Sequence, residues 1–67
     1  MPYVNIKVTD ENVTAAEKKA LIEGTTQLLQ DVLNKDPKAT FVVIDEVSTD
    51  NWGIGYKTVT EIRQQQE

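Results

Sequence analysis

The sequence of 67 residues contains no cysteine and no histidine. Without cysteine no disulfide can form, and without either residue type Cys/His zinc sites, haem ligation by histidine and serine–histidine catalysis are all excluded. A domain of this size buries only about 60% of the surface that its unfolded chain exposes, so small chains usually gain support from disulfides, a metal or oligomerisation. We therefore expect a homo-oligomer, a dimer or a hexamer, with no metal and no cofactor.

Positive charge and long apolar stretches are also scarce. Seven Lys and Arg residues face eleven Asp and Glu residues, which gives a net charge of −4, and no basic run exceeds the pair Lys18 and Lys19. Nucleic-acid binding needs a basic surface, and a membrane span needs about 20 apolar residues. We therefore predict no nucleic-acid partner and no membrane partner. Because no signal peptide is visible at the start, we expect one cytoplasmic domain over residues 1–67.

Three segments carry clear secondary-structure patterns. Val4, Ile6 and Val8 alternate with polar or mixed positions, which predicts a strand over residues 2–8 with one buried face. Thr14 and Glu17 have the spacing of a capping box, so a helix is expected from there to about residue 34. The apolar, β-branched run over residues 40–47 predicts a second strand that is covered on both faces.

These elements predict an α+β fold. A strand, a helix and a strand form a βαβ unit whose crossover is right-handed and whose strands are parallel. Polar residues 48–51 predict a turn, and the glycines of residues 52–56 predict either a tight hairpin or a loop that closes over another group. Residues 57–62 alternate weakly between apolar and polar side chains and predict a further short strand. Residues 64–67 are predicted to form a frayed end. One helix leaves the other face of two strands bare, so we expect the sheet to continue into a second subunit or to pack on one.

Pro2 is the most informative candidate for chemistry. Methionine is generally removed when the second residue is small, and the mature chain would then begin with a secondary amine. An ordinary α-amino group has a pKa of about 7.7–8.0. Burial disfavours the cation and lowers this pKa, so a buried Pro2 could act as a neutral base. The alternative is that Pro2 only starts a strand, where its missing N–H does no harm.

The order of these features resembles the 4-oxalocrotonate tautomerase family. The resemblance rests on Pro2 before an alternating strand, on a single helix, on Val-Val-Ile-Asp-Glu-Val at 42–47 and on Trp-Gly-Ile-Gly at 52–55. It covers residues 2 to about 60. It implies a βαβ unit with a C-terminal hairpin, two subunits forming a four-stranded sheet, and dimers that commonly assemble into hexamers. It also implies that Pro2 is the catalytic base.

The site residues implied by the resemblance differ from the family pattern at two positions. Asn12 and Phe41 stand where the archetype has arginines that bind a substrate carboxylate and polarise the substrate carbonyl. Trp52 retains the aromatic wall of the pocket. A buried dicarboxylate needs charge-assisted donors, so a monocarboxylate enol or keto acid is the expected small-molecule partner. Lys7 is the leading replacement cation, because it lies on the strand that Pro2 begins. Lys38, Lys57 and Arg63 are the other candidates.

Two alternatives to a tautomerase remain open. A hydratase or dehalogenase would use a protonated proline as acid and a carboxylate, Glu46 or Asp50, to activate water. A non-catalytic member would keep the fold as an oligomeric binding or structural subunit. The missing arginines favour this last alternative, whereas the family resemblance, with Pro2 as its catalytic residue, favours an enzyme.

Overall fold

The computed structural model describes residues 1–65. It confirms an α+β chain built on a βαβ unit with a C-terminal hairpin. The elements in chain order are β1 (Tyr3–Thr9), α1 (Ala15–Leu33), β2 (Phe41–Val47), β3 (Gly53–Ile54), β4 (Lys57–Thr58) and α2 (Val59–Gln65), with 3₁₀ turns at Pro37–Ala39 and Thr49–Asn51.

The two long strands are parallel and fully paired, as the βαβ pattern predicted. Tyr3 lies opposite Phe41 at one end of the sheet and Thr9 lies opposite Val47 at the other. The pairing extends one step further, because the Asp10 N–H donates to the Val47 carbonyl at 2.8 Å. Side chains of successive residues point to opposite faces of a strand. The even-numbered residues of both strands therefore share one face of the sheet, and the odd-numbered residues share the other.

Helix α1 begins and ends as its sequence predicted. The Thr14 hydroxyl accepts from the Glu17 N–H at 3.1 Å, and the Glu17 carboxylate accepts from the Thr14 N–H at 2.9 Å. At the other end Asn34 adopts a left-handed conformation with φ of 56°. Its N–H returns to the Gln30 carbonyl, and Pro37 follows three residues later, so the helix cannot continue.

Helix α1 covers only the even-numbered face of the sheet. An ion pair between Lys18 on the helix and Glu46 on β2 fixes which face this is. The odd-numbered face, which we call the open face, carries Tyr3, Phe41 and Val43, whose exposed fractions are 64%, 51% and 41%. Within this chain β2 is therefore covered on one face, and the expectation of cover on both faces is not met without a partner.

The chain has little core of its own. None of residues 1–65 is fully buried. The radius of gyration is 15.4 Å, whereas a compact chain of this length has one of about 11 Å. The accessible surface is 5188 Å², against about 4,200 Å² for a folded monomer of this mass. This excess includes exposed large apolar side chains and is surface that a partner can cover.

The predicted strand over residues 57–62 is wrong beyond its second residue. Strand β4 ends at Thr58, and α2 starts at Val59. The cause is a second capping box: the Thr58 hydroxyl accepts from the Glu61 N–H at 3.1 Å, and the Glu61 carboxylate accepts from the Thr58 N–H at 3.3 Å. The helix reaches Gln65, so the prediction of a frayed end is wrong for residues 64–65, while residues 66–67 lie outside the described part.

Candidate functional site

Pro2 lies immediately before β1 and is held in the sheet. Its carbonyl accepts a hydrogen bond from the Phe41 N–H at 3.0 Å, and Pro2 itself is partly buried. This bond places Phe41 beside Pro2 at the end of the sheet where both long strands begin. Two of the predicted site residues are therefore neighbours in a single chain.

Asn12 and Trp52 lie at the opposite end of the sheet. Asn12 is exposed in the loop after β1, with φ of 67°, and Trp52 follows the turn after β2. Strand β1 has seven residues, which span about 23 Å. A single chain therefore does not bring Asn12 or Trp52 to Pro2.

Lys7 lies between these two ends, on the open face. Its ammonium is 2.9 Å from a carboxylate oxygen of Asp45, and the Asn5 amide donates to the same oxygen at 2.8 Å. Lys7, followed by Asn5, lowers the pKa of the Asp45 carboxyl below its ordinary value. The charge of Lys7 is thus already matched by a carboxylate, which weakens its case as the cation that replaces the missing arginines.

A second group of charged residues lies beside Asn12. Glu11 forms an ion pair with Arg63 of α2 and accepts a hydrogen bond from the Thr9 hydroxyl. Thr9 and then Arg63 lower the pKa of the Glu11 carboxyl. From the sequence, Arg63 was only one of several candidate cations that could replace the missing arginines. The signal for its position was the Thr-x-x-Glu pattern at 58–61, which starts the helix that carries Arg63.

The carboxylates considered for water activation are placed differently. Glu46 is paired with Lys18, which lowers the pKa of the Glu46 carboxyl, and it lies near the end of β2 remote from Pro2. Asp50 lies in the turn after β2, where its N–H donates to the Ser48 hydroxyl at 3.2 Å. Neither carboxylate is beside Pro2 in this chain. Nor does any group of three Asp or Glu side chains within residues 1–65 converge as a metal site would require.

No helix in the described part of the chain combines the length and apolar character needed to cross a membrane. The exposed apolar side chains are instead distributed over the open face, α1 and the hairpin. They include Leu28 and Val32 on α1 and Ile54 on the hairpin.

Comparison with known proteins gives consistent matches over nearly the whole chain. A family model described as tautomerase enzyme matches residues 2–62. A probable tautomerase from Dickeya dadantii is 63% identical over 65 residues, which cover 97% of each chain. The crystal structure of DmpI from Helicobacter pylori is 43% identical, with a TM-score of 0.87 over 94% of this chain and 97% of that one.

A further solved structure supports the fold alone. TomN, a 4-oxalocrotonate tautomerase homologue in the tomaymycin biosynthetic pathway, is 24% identical and has a TM-score of 0.89, with 98% of this chain and 100% of that one covered. The family resemblance read from the sequence is confirmed by the family match and by these relatives. The chain belongs to the tautomerase family, whose 4-oxalocrotonate tautomerase-like members share its βαβ fold.

Proposed function

We propose that this chain is an isomerase that moves a proton between the oxygen and a carbon of an enol or α-keto acid, with Pro2 as the general base. Removal of Met1 frees the Pro2 nitrogen as a secondary amine. The neutral nitrogen takes the hydroxyl proton of the enol, the C–O bond becomes a carbonyl, and the electron pair of the C=C bond moves to the adjacent carbon. The nitrogen then returns a proton to that carbon. No cofactor is needed for this exchange.

The observation that carries this proposal is the hydrogen bond from the Phe41 N–H to the Pro2 carbonyl. A general base must be held in a fixed position relative to the proton that it takes. Pairing with β2 holds the first residue of the processed chain, Pro2, in such a fixed position. In the proposed assembly, Phe41 and Trp52 would provide apolar surroundings that disfavour the ammonium form and lower the pKa of the Pro2 nitrogen.

The site becomes complete only in an oligomer under this proposal. Pro2 and Phe41 lie at one end of the sheet and Asn12 and Trp52 at the other, about 23 Å away. A second copy in the opposite orientation would bring its Trp52 end to the Pro2 end of the first. Two such copies form the four-stranded sheet of the proposed dimer, and three such dimers would form a hexamer. The uncovered apolar surface and the large radius of gyration support this assembly. A single domain in the cytoplasm stays a prediction of the sequence.

The proposed substrate is a monocarboxylate enol such as phenylenolpyruvate. Phe41 cannot donate a hydrogen bond or carry charge, and Asn12 is neutral. An unsaturated dicarboxylate would leave one carboxylate without a charged partner at a large cost. We therefore expect better turnover of phenylenolpyruvate than of the diacid. Family membership does not favour a non-catalytic subunit, and the pairing of Glu46 with Lys18 does not favour a hydratase.

The test compares the processed chain, a chain that retains Met1 and Pro2→Ala, with intact mass confirming each amino terminus. Ketonisation of phenylenolpyruvate is followed by absorbance as a function of pH. Pro2→Ala keeps a primary amine in poorer geometry and should lose about 10²-fold in kcat, the lower end of what a positioned base contributes. The Met1-retained chain should lose more, because an amide nitrogen is not basic.

Pro37→Ala is the matched control, since Pro37 is the other proline of the chain and begins a 3₁₀ turn. Its activity should stay within about twofold of the unaltered protein, as expected for a surface change. Activity of the processed chain should rise with pH, and the midpoint of this rise should lie below the ordinary α-amino pKa. Full activity of the Met1-retained chain would refute the role of Pro2.

A further inference from the structure

A polar cluster interrupts the apolar open face of the sheet. It consists of Asn5 and Lys7 on β1 and Asp45 on β2, where Lys7 and Asp45 lie directly opposite each other. The Lys7 ammonium is 2.9 Å from Oδ2 of Asp45. The Asn5 amide donates to the same oxygen at 2.8 Å and to the Val43 carbonyl at 3.2 Å. We call Asn5, Lys7 and Asp45 the open-face cluster.

The open-face cluster leaves a donor and an acceptor available to another molecule. Both side-chain bonds to Asp45 end on Oδ2, and no hydrogen bond within residues 1–65 reaches its Oδ1. An ammonium group has three donors, and Lys7 uses one of them on Asp45. The side chains of Lys7 and Asp45 are 60% and 46% exposed. One chain therefore presents a spare donor and a spare acceptor side by side.

Any partner that covers the apolar part of the open face must also cover this cluster. Val43 is exposed two residues before Asp45 on the same face, and Phe41 and Tyr3 continue the apolar surface beyond it. Covering this surface displaces the water around the Lys7 ammonium and the Asp45 carboxylate. Because a buried charge without a partner is costly, the partner must supply an acceptor to the one and a donor to the other.

A second copy of the chain carries the required groups in the required arrangement. In a two-fold contact, a residue of one copy meets a different residue of the other copy, and the reverse contact follows by symmetry. The spare donor of Lys7 can then meet the spare acceptor of Asp45 in the second copy, and the reverse. One positive and one negative charge placed side by side are thus self-complementary.

We propose that the open-face cluster is the element by which this face recognises a second copy of the chain, through ion pairs between Lys7 of each copy and Asp45 of the other. This inference rests on the assembly put forward with the proposed function, but it does not depend on the chemistry of Pro2. Asn5 holds the Asp45 carboxylate through Oδ2 and leaves Oδ1 for the second copy. A face with another placement of charge brings like charges together or leaves a charge unpaired, and is rejected.

The test is complementation between two chains that each carry one charge reversal. Lys7→Glu gives the open face two carboxylates, and Asp45→Lys gives it two ammonium groups. Each chain alone should assemble with a Kd raised by about 10²- to 10⁴-fold, as expected when a buried ion pair loses one partner. Their equimolar mixture should assemble within about tenfold of the unaltered protein, because a negative face then meets a positive one. Sedimentation velocity over a dilution series measures each Kd.

Lys18→Glu and Glu46→Lys are the matched controls. They reverse the charges of an ion pair of the same kind, but this pair joins α1 to β2 within one chain, on the helix-covered face. Mixing these two chains should restore nothing that either reversal loses alone. Circular dichroism checks the fold of every chain. If a single reversal in the open-face cluster prevents folding, the two chains are co-expressed and the product is sedimented instead of the mixture.

A chain that carries both Lys7→Glu and Asp45→Lys provides a second readout. It keeps an ion pair between β1 and β2, so the fold is not deprived of that contact. It also keeps one positive and one negative charge side by side, which remain self-complementary. This chain should therefore assemble with itself, whereas each single reversal does not. Its dissociation under conditions where the unaltered protein is assembled would contradict the proposal.

Three further results would overturn the proposal: an equimolar mixture that stays dissociated, single reversals that assemble as tightly as the unaltered protein, or equal restoration in the control mixture. A monomeric unaltered protein would refute the assembly itself and this inference with it. Failure of the proposed catalysis is recognised separately, since none of these measurements uses turnover. Full activity of the Met1-retained chain would refute Pro2 as the base, while complementation would still establish the contact between copies.

Discussion

Truncation of Phe41 tests whether the open face of the sheet is the surface on which copies of the chain assemble. Phe41 is 51% exposed in the isolated chain. An aromatic side chain of about 200 Å² therefore leaves about 100 Å² in water, whose burial is worth about 2.5 kcal/mol at 25 cal/mol per Å². A two-fold dimer contains two such sites, so Phe41→Ala should cost about 5 kcal/mol of association free energy and raise the dimer Kd by between 10³- and 10⁴-fold.

Sedimentation velocity over a dilution series measures this effect directly. Unaltered protein should stay assembled at concentrations where Phe41→Ala dissociates, and Phe41→Leu should keep most of the association energy because it keeps most of the apolar area. Val32→Ala is the contrasting variant, since Val32 on α1 is 70% exposed. Dissociation caused by Val32→Ala but not by Phe41→Ala would show that the helix is the covered surface. A stable folded monomer of the unaltered chain would refute assembly altogether.

Two further predictions concern stability. Gly24 lies inside α1, and a methyl group added at its Cα would meet open space. Gly24→Ala should therefore raise the free energy of unfolding by about 0.5–1 kcal/mol. A lower thermal midpoint for Gly24→Ala would show that another subunit approaches the helix at this position. The pKa values of Glu17 and Glu46 are lowered, chiefly by hydrogen bonds from Thr14 and Lys18 respectively. Their folded-state pKa values lie below the unfolded ones, so the stability that these two carboxylates contribute is present above about pH 4 and is lost as the pH falls further. Thermal midpoints measured between about pH 3 and 7 should show this decline. The decline should be smaller in Glu17→Gln.

The sequence predicted those elements whose signals are local. Alternation at Val4, Ile6 and Val8 identified β1, the capping box at Thr14 identified the start of α1, and the β-branched run after Thr40 identified β2. Helix α2 was missed because a short alternating pattern outweighed a Thr-x-x-Glu signal of the same kind as the one at α1. Seven residues carry too few periods to separate a strand from a helix, and in this case the cap determines the structure.

The candidate site was predicted less completely than the fold. The family resemblance named Pro2, Phe41, Asn12 and Trp52 together, but it did not reveal that one chain separates them into two pairs at opposite ends of the sheet. That separation follows from the length and the parallel direction of β1 and β2, both of which the sequence pattern predicted, so it could have been worked out before the structure. The matched charge of Lys7 was also hidden, because its partner Asp45 lies 38 positions away.

The parallel register also has a consequence for when the amino terminus is accessible to other enzymes and when it becomes paired in the sheet. Tyr3 pairs with Phe41, and the bond that holds Pro2 comes from the same residue. Until β2 has been synthesised, the first residues have no partner strand. At about 5–20 residues per second, this interval lasts several seconds. If the proposed function holds, we therefore expect Met1 to be removed before pairing with β2 fixes Pro2.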